Sequence, residues 1–186
     1  MKTKLIGFLG APCSGKSTLA SELHTRLKTS HKNSIFLSEA ATDYIAEFGI
    51  PSSPIDQMTI YYQQRKMENM YFGSKEYIVC DSSSILNYFY FRKSFTKPLT
   101  KNNIASINNI QKEILLSIND WAYLFYVPPI TSKNVEDGIR FHNVDEIKKI
   151  DNNILSYLDI ENIDYTNLSD ISVDKRVEHI LNMLNK

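Results

Sequence analysis

Nine consecutive residues near the start of the chain read Gly10-Ala11-Pro12-Cys13-Ser14-Gly15-Lys16-Ser17-Thr18. They match G-x-x-x-x-G-K-S, a phosphate-binding pattern that is meaningful only between a strand and a helix. An apolar run over 5–9 precedes the motif, and leucines recur every four residues after it at positions 19, 23 and 27. The sequence therefore predicts a strand, a P-loop and a helix in that order.

The residue types of this loop fit a bound polyphosphate. Gly10 and Gly15 allow a tight turn and a close approach, so that backbone N–H groups and the helix N-terminus face the anion. Lys16 would bridge the outer phosphates, and the Ser17 hydroxyl would ligate Mg²⁺. We expect residues 10–18 to hold the nucleotide, although Thr18 has the alternative role of helix packing. The sequence has no Asn-Lys-x-Asp guanine motif, which favours ATP.

Length, composition and charge narrow the class of protein. The chain has 186 residues with 42% hydrophobic residues, which fits a single domain over 1–186. Lys+Arg and Asp+Glu both number 21, so the net charge is zero. This disfavours a dedicated nucleic-acid binder but is compatible with a strand end in a local groove. The two cysteines, Cys13 and Cys80, make neither a disulfide framework nor a zinc site.

The apolar run at the N-terminus is too short for a signal peptide, and no window approaches the ~20 apolar residues of a membrane span. We therefore expect a cytoplasmic protein that does not associate with membranes. The sequence leaves the oligomeric state open, including a homo-oligomer, because it does not separate exposed helix faces from interfaces.

Apolar runs and helical periodicities alternate along the rest of the chain. This alternation predicts an α/β protein of the three-layer P-loop NTPase type, with a mainly parallel sheet of about five strands and helices on both faces. Strands are expected at 34–37, 77–81, 121–127 and 163–166. Helices are expected at 43–48, 54–72, from 82 to before Pro98, 104–118, 147–158 and 173–184. A polar stretch at about 131–143 is expected to form a short lid.

Two carboxylates follow predicted strands, and ligands of such sheets bind at the carboxyl ends of the strands. Asp81 could hold Mg²⁺ through water or accept the proton of an attacking hydroxyl; alternatively it caps the helix that follows. Glu39 is the second candidate, its alternative being a solvated charge near a helix N-terminus. No Glu follows Asp81, which favours transfer to a bound acceptor over a hydrolysis-driven motor. The P-loop, 38–39 and Asp81 should converge on one cleft.

Arg140 is the candidate for neutralising charge on a transferring phosphoryl group, which needs positioning and electrostatic stabilisation more than covalent chemistry. Gly138 gives its loop a flexible joint, and a lid arginine acts when the lid closes. Lys133 is a weaker candidate. The alternative for both cations is a solvated loop charge.

Four stretches resemble those of small P-loop nucleoside or nucleotide kinases: 8–20, 38–45, 79–83, and 137–140 followed by Glu146 and 150–151. The chain resembles the bacteriophage and bacterial group of AAA-type ATPases and is similar to the ribosylnicotinamide kinase domain of bifunctional NAD-salvage proteins. In one departure, Thr42 stands where the group tends to have an arginine.

This resemblance implies an ATP- and Mg²⁺-dependent kinase whose partner is a small nucleoside-like or nucleotide-like acceptor. It implies Lys16 and Arg140 on the phosphates, Mg²⁺ on Ser17 and Asp81, and either Asp81 or Glu39 at the acceptor hydroxyl. The helix segment 61–65 would cover the acceptor; alternatively Tyr62 packs in the core and the two glutamines face solvent. Two other functions stay open: a kinase for DNA ends or modified bases, and a nucleotide-dependent regulatory ATPase or switch.

Overall fold

The computed structural model describes residues 2–93, 99–130 and 144–185. The strands are β1 Lys4–Leu9, β2 Ser34–Leu37, β3 Tyr77–Cys80, β4 Trp121–Tyr126 and β5 Thr166–Asn167. The helices are α1 Lys16–Thr29, α2 Ala40–Phe48, α3 Pro54–Met70, α4 Leu86–Lys93, α5 Lys101–Leu116, α6 Val144–Ile160 and α7 Arg176–Leu184. Two 3₁₀ turns lie at Ser117–Asp120 and Val173–Lys175.

Within the described residues the strands form one five-stranded sheet in the order β2-β3-β1-β4-β5, and every pairing is parallel. Gly7 of β1 lies opposite Cys80 of β3, which in turn lies opposite Leu37 of β2. The residues that follow these three strands therefore emerge side by side at one edge of the sheet. The predicted α/β class with a parallel sheet is confirmed.

Alternation along β1 produces two cores, because successive side chains of a strand point to opposite faces. Leu5 and Leu9 pack with residues of α3, α4, α5 and α6. Ile6 and Phe8 pack on the other face with α1 and α7. Helices thus cover both faces, which is the predicted three-layer arrangement.

Local signals fixed several helix ends. The Ser53 side chain accepts from the Asp56 N–H and the Asp56 side chain accepts from the Ser53 N–H, so a capping box starts α3 with Pro54 in its first turn. Gly49, with φ 84°, ends α2 as expected.

Several predicted boundaries were wrong, and contacts between residues distant in sequence decided two of the helix starts. The α2 helix begins at Ala40, because the Ala40 N–H donates a hydrogen bond to the side chain of Gln64. The α4 helix begins at Leu86 because the Ser83 and Ser84 N–H groups are bonded to Phe8 and Glu68. The last strand is two residues long.

Of the predicted strand over 163–166, only Thr166 lies in a strand, because the chain before it is still leaving the end of α6. The Ile163 N–H donates to the Leu158 carbonyl, 2.9 Å away, and is therefore engaged in ending the helix rather than in the sheet. Pairing with β4 begins at Thr166, opposite Phe125.

In the described part of the chain, no helix combines the length and apolarity needed to cross a bilayer. The predicted lid over 131–143 lies outside the described residues.

Gly7 is required by packing. A methyl group added to Gly7 would overlap the Trp121 ring, which is itself buried. We expect Gly7→Ala to lower the free energy of unfolding by about 1–3 kcal/mol, as overpacking typically does, measured by urea denaturation. Gly7→Ala should lower the free energy of unfolding by less in a Trp121→Phe background than in the wild type, because the smaller ring leaves room for the added methyl group. Purely additive losses would show that the Trp121 contact is not the cause.

Candidate active site

The loop between β1 and α1 has a backbone that side chains would obstruct. Gly10 has φ 141°, and a methyl group added there would overlap the Val127 carbonyl oxygen, a backbone atom that cannot rotate away. Cys13 and Gly15 lie in the left-handed region with φ 62° and 86°. The chain therefore turns tightly and begins α1 at Lys16, with the glycine Gly15 as N-cap. This cradle and the adjacent helix N-terminus fit a bound phosphate.

Lys16 turns back over the loop. Its Nζ donates to the carbonyl oxygens of Gly10 at 3.0 Å and Ala11 at 2.9 Å, and to Ser14 Oγ at 3.4 Å. The positive charge is thus held at the mouth of the cradle. Ser17 is half-buried in the first turn of α1, whereas the Thr18 side chain is exposed, so helix packing does not account for Thr18.

The two candidate carboxylates follow neighbouring strands, as predicted. Asp81 is buried directly after β3, and its N–H donates to the Leu37 carbonyl at 2.9 Å. Glu39 is half-buried at the N-cap of α2, two residues after β2. Since β3 is adjacent to β1 and β2 lies beyond it, Asp81 is one strand closer to the P-loop than Glu39 is.

Gln64 joins the ends of these two strands. Its Oε1 accepts from the Ala40 N–H at 3.0 Å, and its Nε2 donates to the Ser82 carbonyl at 3.4 Å. Gln64 is 3% exposed. One buried amide therefore fixes the residues next to Glu39 and Asp81 relative to each other. The alternative that both glutamines face solvent is wrong for Gln64 and correct for Gln63.

The alternative that Tyr62 packs in the core is wrong, because its neighbour Tyr61 takes that place. Tyr61 is 2% exposed and lies in the core, whereas Tyr62 is 48% exposed. Tyr62 lines a surface hollow of about 430 Å³ on the outer side of α3, together with Ile55, Met58, Thr59, Gln63 and Lys66. No P-loop or strand-end residue lines this hollow, so it is separate from the cleft.

Glu68 is a buried carboxylate that the sequence analysis missed. It is 0% exposed, pairs with Arg65 at 2.8 Å, and accepts hydrogen bonds from the Ser84 N–H at 3.0 Å and the Ser84 hydroxyl at 2.9 Å. Arg65 also reaches Asp120 at 2.8 Å. The spacing of Arg65 and Glu68 was a signal for an ion pair on one helix face. The contact with Ser84 had no local signal.

Burial raises the pKa of Glu68, while Arg65 and the hydrogen bonds from Ser84 oppose that rise. The pair therefore holds the loop after β3, which carries Asp81, against α3.

A second buried carboxylate, to which the sequence analysis gave no role of its own, lies beside the P-loop. Asp151 of α6 is 7% exposed; its Oδ2 accepts from the Tyr126 hydroxyl at 2.6 Å, and its Oδ1 accepts from the Ala11 N–H at 3.4 Å. Burial raises the pKa of Asp151, and the Tyr126 and Ala11 hydrogen bonds and Lys16 oppose this. Its signal was its position on the apolar face of α6, four residues after Ile147 and three before Ile154.

Within the described ranges no three His, Cys, Asp or Glu side chains are grouped as metal ligands. The Ser17 hydroxyl and the Asp81 carboxylate are oxygen donors of the kind that Mg²⁺ takes, since Mg²⁺ is commonly bound through one or two carboxylates together with substrate phosphates. Arg140, Lys133 and Gly138 lie outside the described residues.

Comparison with known proteins identifies the family. A model of an AAA domain family, AAA_28, matches residues 5–176. The chain belongs to this AAA domain family. The match runs from the second residue of β1 to the first residue of α7, and so it reaches all five described strands. No curated protein sequence matches the chain.

Solved structures share the fold of this AAA domain. A NadR protein in complex with NR superposes with a TM-score of 0.74 at 18% identity, over 98% of this chain and 51% of that one. The chain thus spans about half the length of NadR. Deoxyadenosine kinase from M. mycoides with bound dATP gives 0.62 at 12% identity, over 98% and 100%. APS kinase CysC from Mycobacterium tuberculosis gives 0.52 at 11%, over 100% of both chains. These similarities confirm the predicted three-layer P-loop NTPase fold.

Replacing Arg65 tests the buried pair. We expect Arg65→Met to lower the free energy of unfolding by about 3 kcal/mol near pH 7, because it leaves Glu68 charged and unpaired. The pKa of Glu68 is raised in the folded protein, so the loss should shrink as the pH falls toward 4.5 and Glu68 binds a proton. Denaturant unfolding across this pH range measures both effects.

The matched control is Asp120→Asn, which changes the exposed partner of the same arginine and should have an effect below about 1 kcal/mol. A loss from Arg65→Met that does not depend on pH would contradict the assignment to Glu68.

Proposed function

We propose that this AAA domain transfers the γ-phosphoryl group of ATP to a small nucleoside-like or nucleotide-like acceptor in a Mg²⁺-dependent reaction. The observation that carries the proposal is the arrangement at one sheet edge: a phosphate-binding loop after β1, Asp81 after the adjacent strand, and Glu39 after the next. That the NadR structure holds NR and the deoxyadenosine kinase structure holds dATP supports this class of acceptor.

The P-loop is the proposed triphosphate site. Its backbone N–H groups and Lys16 would hold the phosphates. The Ser17 hydroxyl would ligate Mg²⁺, and Asp81 would hold the same ion through water. A bound Mg²⁺ would supply positive charge that offsets the negative charge of the phosphates. Arg140 is proposed to add positive charge at the transferring group.

We assign the general base to Glu39 and the magnesium role to Asp81 on the basis of strand order. Adjacent strands are about 4.8 Å apart, so Asp81 lies next to the loop and Glu39 lies one strand further from it. The acceptor hydroxyl would give its proton to Glu39 as its oxygen bonds to the γ-phosphorus. The bond from that phosphorus to the bridging oxygen breaks, and ADP leaves.

No carboxylate follows Asp81, where Ser82 stands instead. In hydrolysing motors a carboxylate at that point orients the attacking water, so its replacement by serine supports transfer to an acceptor. The zero net charge weighs against DNA as the acceptor.

ADP release from Mg-ATP, measured with and without an acceptor, tests the function. The panel contains nucleosides, nucleoside monophosphates, nicotinamide riboside and short DNA, and the Lys16→Ala variant gives the blank. We expect strong stimulation by one small acceptor. Stimulation by DNA alone would identify a DNA kinase, and turnover that no acceptor changes would indicate a regulatory ATPase; either result overturns the proposal.

Replacing each carboxylate with its amide distinguishes the role of Glu39 from that of Asp81. Glu39→Gln should lower the acceptor-dependent kcat by roughly 10²–10⁴-fold, the usual contribution of a general base, with an unchanged Mg²⁺ requirement. Asp81→Asn should raise the Mg²⁺ concentration needed for half-maximal turnover. The reverse pattern in a magnesium titration of both variants would exchange the two assignments.

A further inference from the structure

The Asp151 carboxylate joins three elements at the P-loop. It projects from α6 and accepts from Tyr126, the last residue of β4, and from Ala11, the second residue after β1. Tyr126 lies opposite Leu9 in the β1–β4 register, so the phenol and the loop leave the sheet side by side. Each carboxylate oxygen thus has its own donor.

Ala11 links this carboxylate to the lysine of the motif. Its N–H donates to Asp151, while its carbonyl oxygen accepts from Lys16 Nζ at 2.9 Å. Ala11 is itself 0% exposed, and so it has no direct contact with solvent. Fixing the Ala11 backbone therefore fixes one of the two carbonyl oxygens that hold the ammonium group.

Burying the Asp151 carboxylate costs free energy unless hydrogen-bond donors are placed to meet it. A carboxylate that is 7% exposed loses most of its hydration, and only well-placed donors offset that loss. An apolar residue would continue the Ile150 and Ile154 side of α6 without this requirement. A short hydrogen bond of 2.6 Å from a phenol is typical of an ionised acceptor.

We propose that Asp151, oriented by Tyr126, is a positioning residue that holds the start of the P-loop, and with it Lys16, in the geometry that binds the nucleotide phosphates. This inference rests on the proposed function only as far as nucleotide binding and makes no assumption about the acceptor.

Mg-ADP affinity, measured by calorimetry at a temperature where every variant is folded, tests the proposal. Tyr126→Phe removes the orienting hydroxyl, and Asp151→Asn replaces one acceptor oxygen with a donor while keeping the shape. Both should weaken Mg-ADP binding about tenfold, the range expected for losing one hydrogen bond to a charged group. Hydrogen exchange of the Ala11 amide, followed by NMR without nucleotide, should accelerate in both.

Tyr88→Phe is the matched control. The Tyr88 hydroxyl donates to the Glu161 carboxylate at 3.3 Å, just beyond the end of α6 and roughly 15 Å along its axis from Asp151. Tyr88→Phe removes the same kind of bond between a phenol and a carboxylate as Tyr126→Phe does, but far from the P-loop. It should therefore leave the Mg-ADP affinity and the Ala11 exchange rate unchanged.

Three results of the affinity measurement overturn the proposal. They are unchanged affinity in both variants, an equal loss in Tyr88→Phe, and tighter binding by Asp151→Asn, which would show that the Asp151 charge only repels the nucleotide. Unchanged Ala11 exchange would also overturn it, even if the wild type bound no Mg-ADP. Failure of the proposed function is distinct, because it is a wild type that binds Mg-ADP but is stimulated by no small acceptor.

Discussion

The contact between Gly10 and the carbonyl oxygen of Val127 is the constraint on which the site depends. The β1 and β4 strands run in parallel, and the Val127 N–H donates to the Leu9 carbonyl at 2.8 Å. The segments that follow these two strands therefore leave the sheet next to each other. There is room for the loop to turn there only because residue 10 has no side chain. The turn in turn sets where α1 begins and where its N-terminus points.

A second layer of constraint comes from polar side chains buried among the helices. Gln64 and Glu68 lie on the same helix and bond to the segments that follow β2 and β3. Asp151 does the equivalent for the loop that follows β1. Each of these groups satisfies backbone donors or acceptors that strand ends leave without a ladder partner, and unsatisfied groups of this kind are costly when buried. The edge of the sheet where the candidate residues meet is therefore held by specific hydrogen bonds as well as by apolar packing.

Much of the fold followed from local pattern. The P-loop motif, the leucine repeat of α1 and the apolar runs of β1 to β4 gave the element order, and the parallel sheet followed from their alternation. The helix over 54–70 was marked by its own capping residues. Asp81 and Glu39 were found because a polar residue after an apolar strand is conspicuous. Boundaries failed at 40, 86 and 166, where the backbone groups bond to residues distant in sequence or end a neighbouring helix.

The sequence by itself determined the class of fold and the position of the phosphate loop, because these depend on periodicity and on glycines at a fixed spacing. Only the tertiary structure decided that Gln64 is buried while Tyr62 is exposed, and that Glu68 and Asp151 are buried carboxylates with partners. The reason is physical: whether a polar side chain on a helix faces water or a strand end depends on which elements pack beside it. That arrangement is set by contacts between residues such as Ala11 and Asp151, which are 140 positions apart.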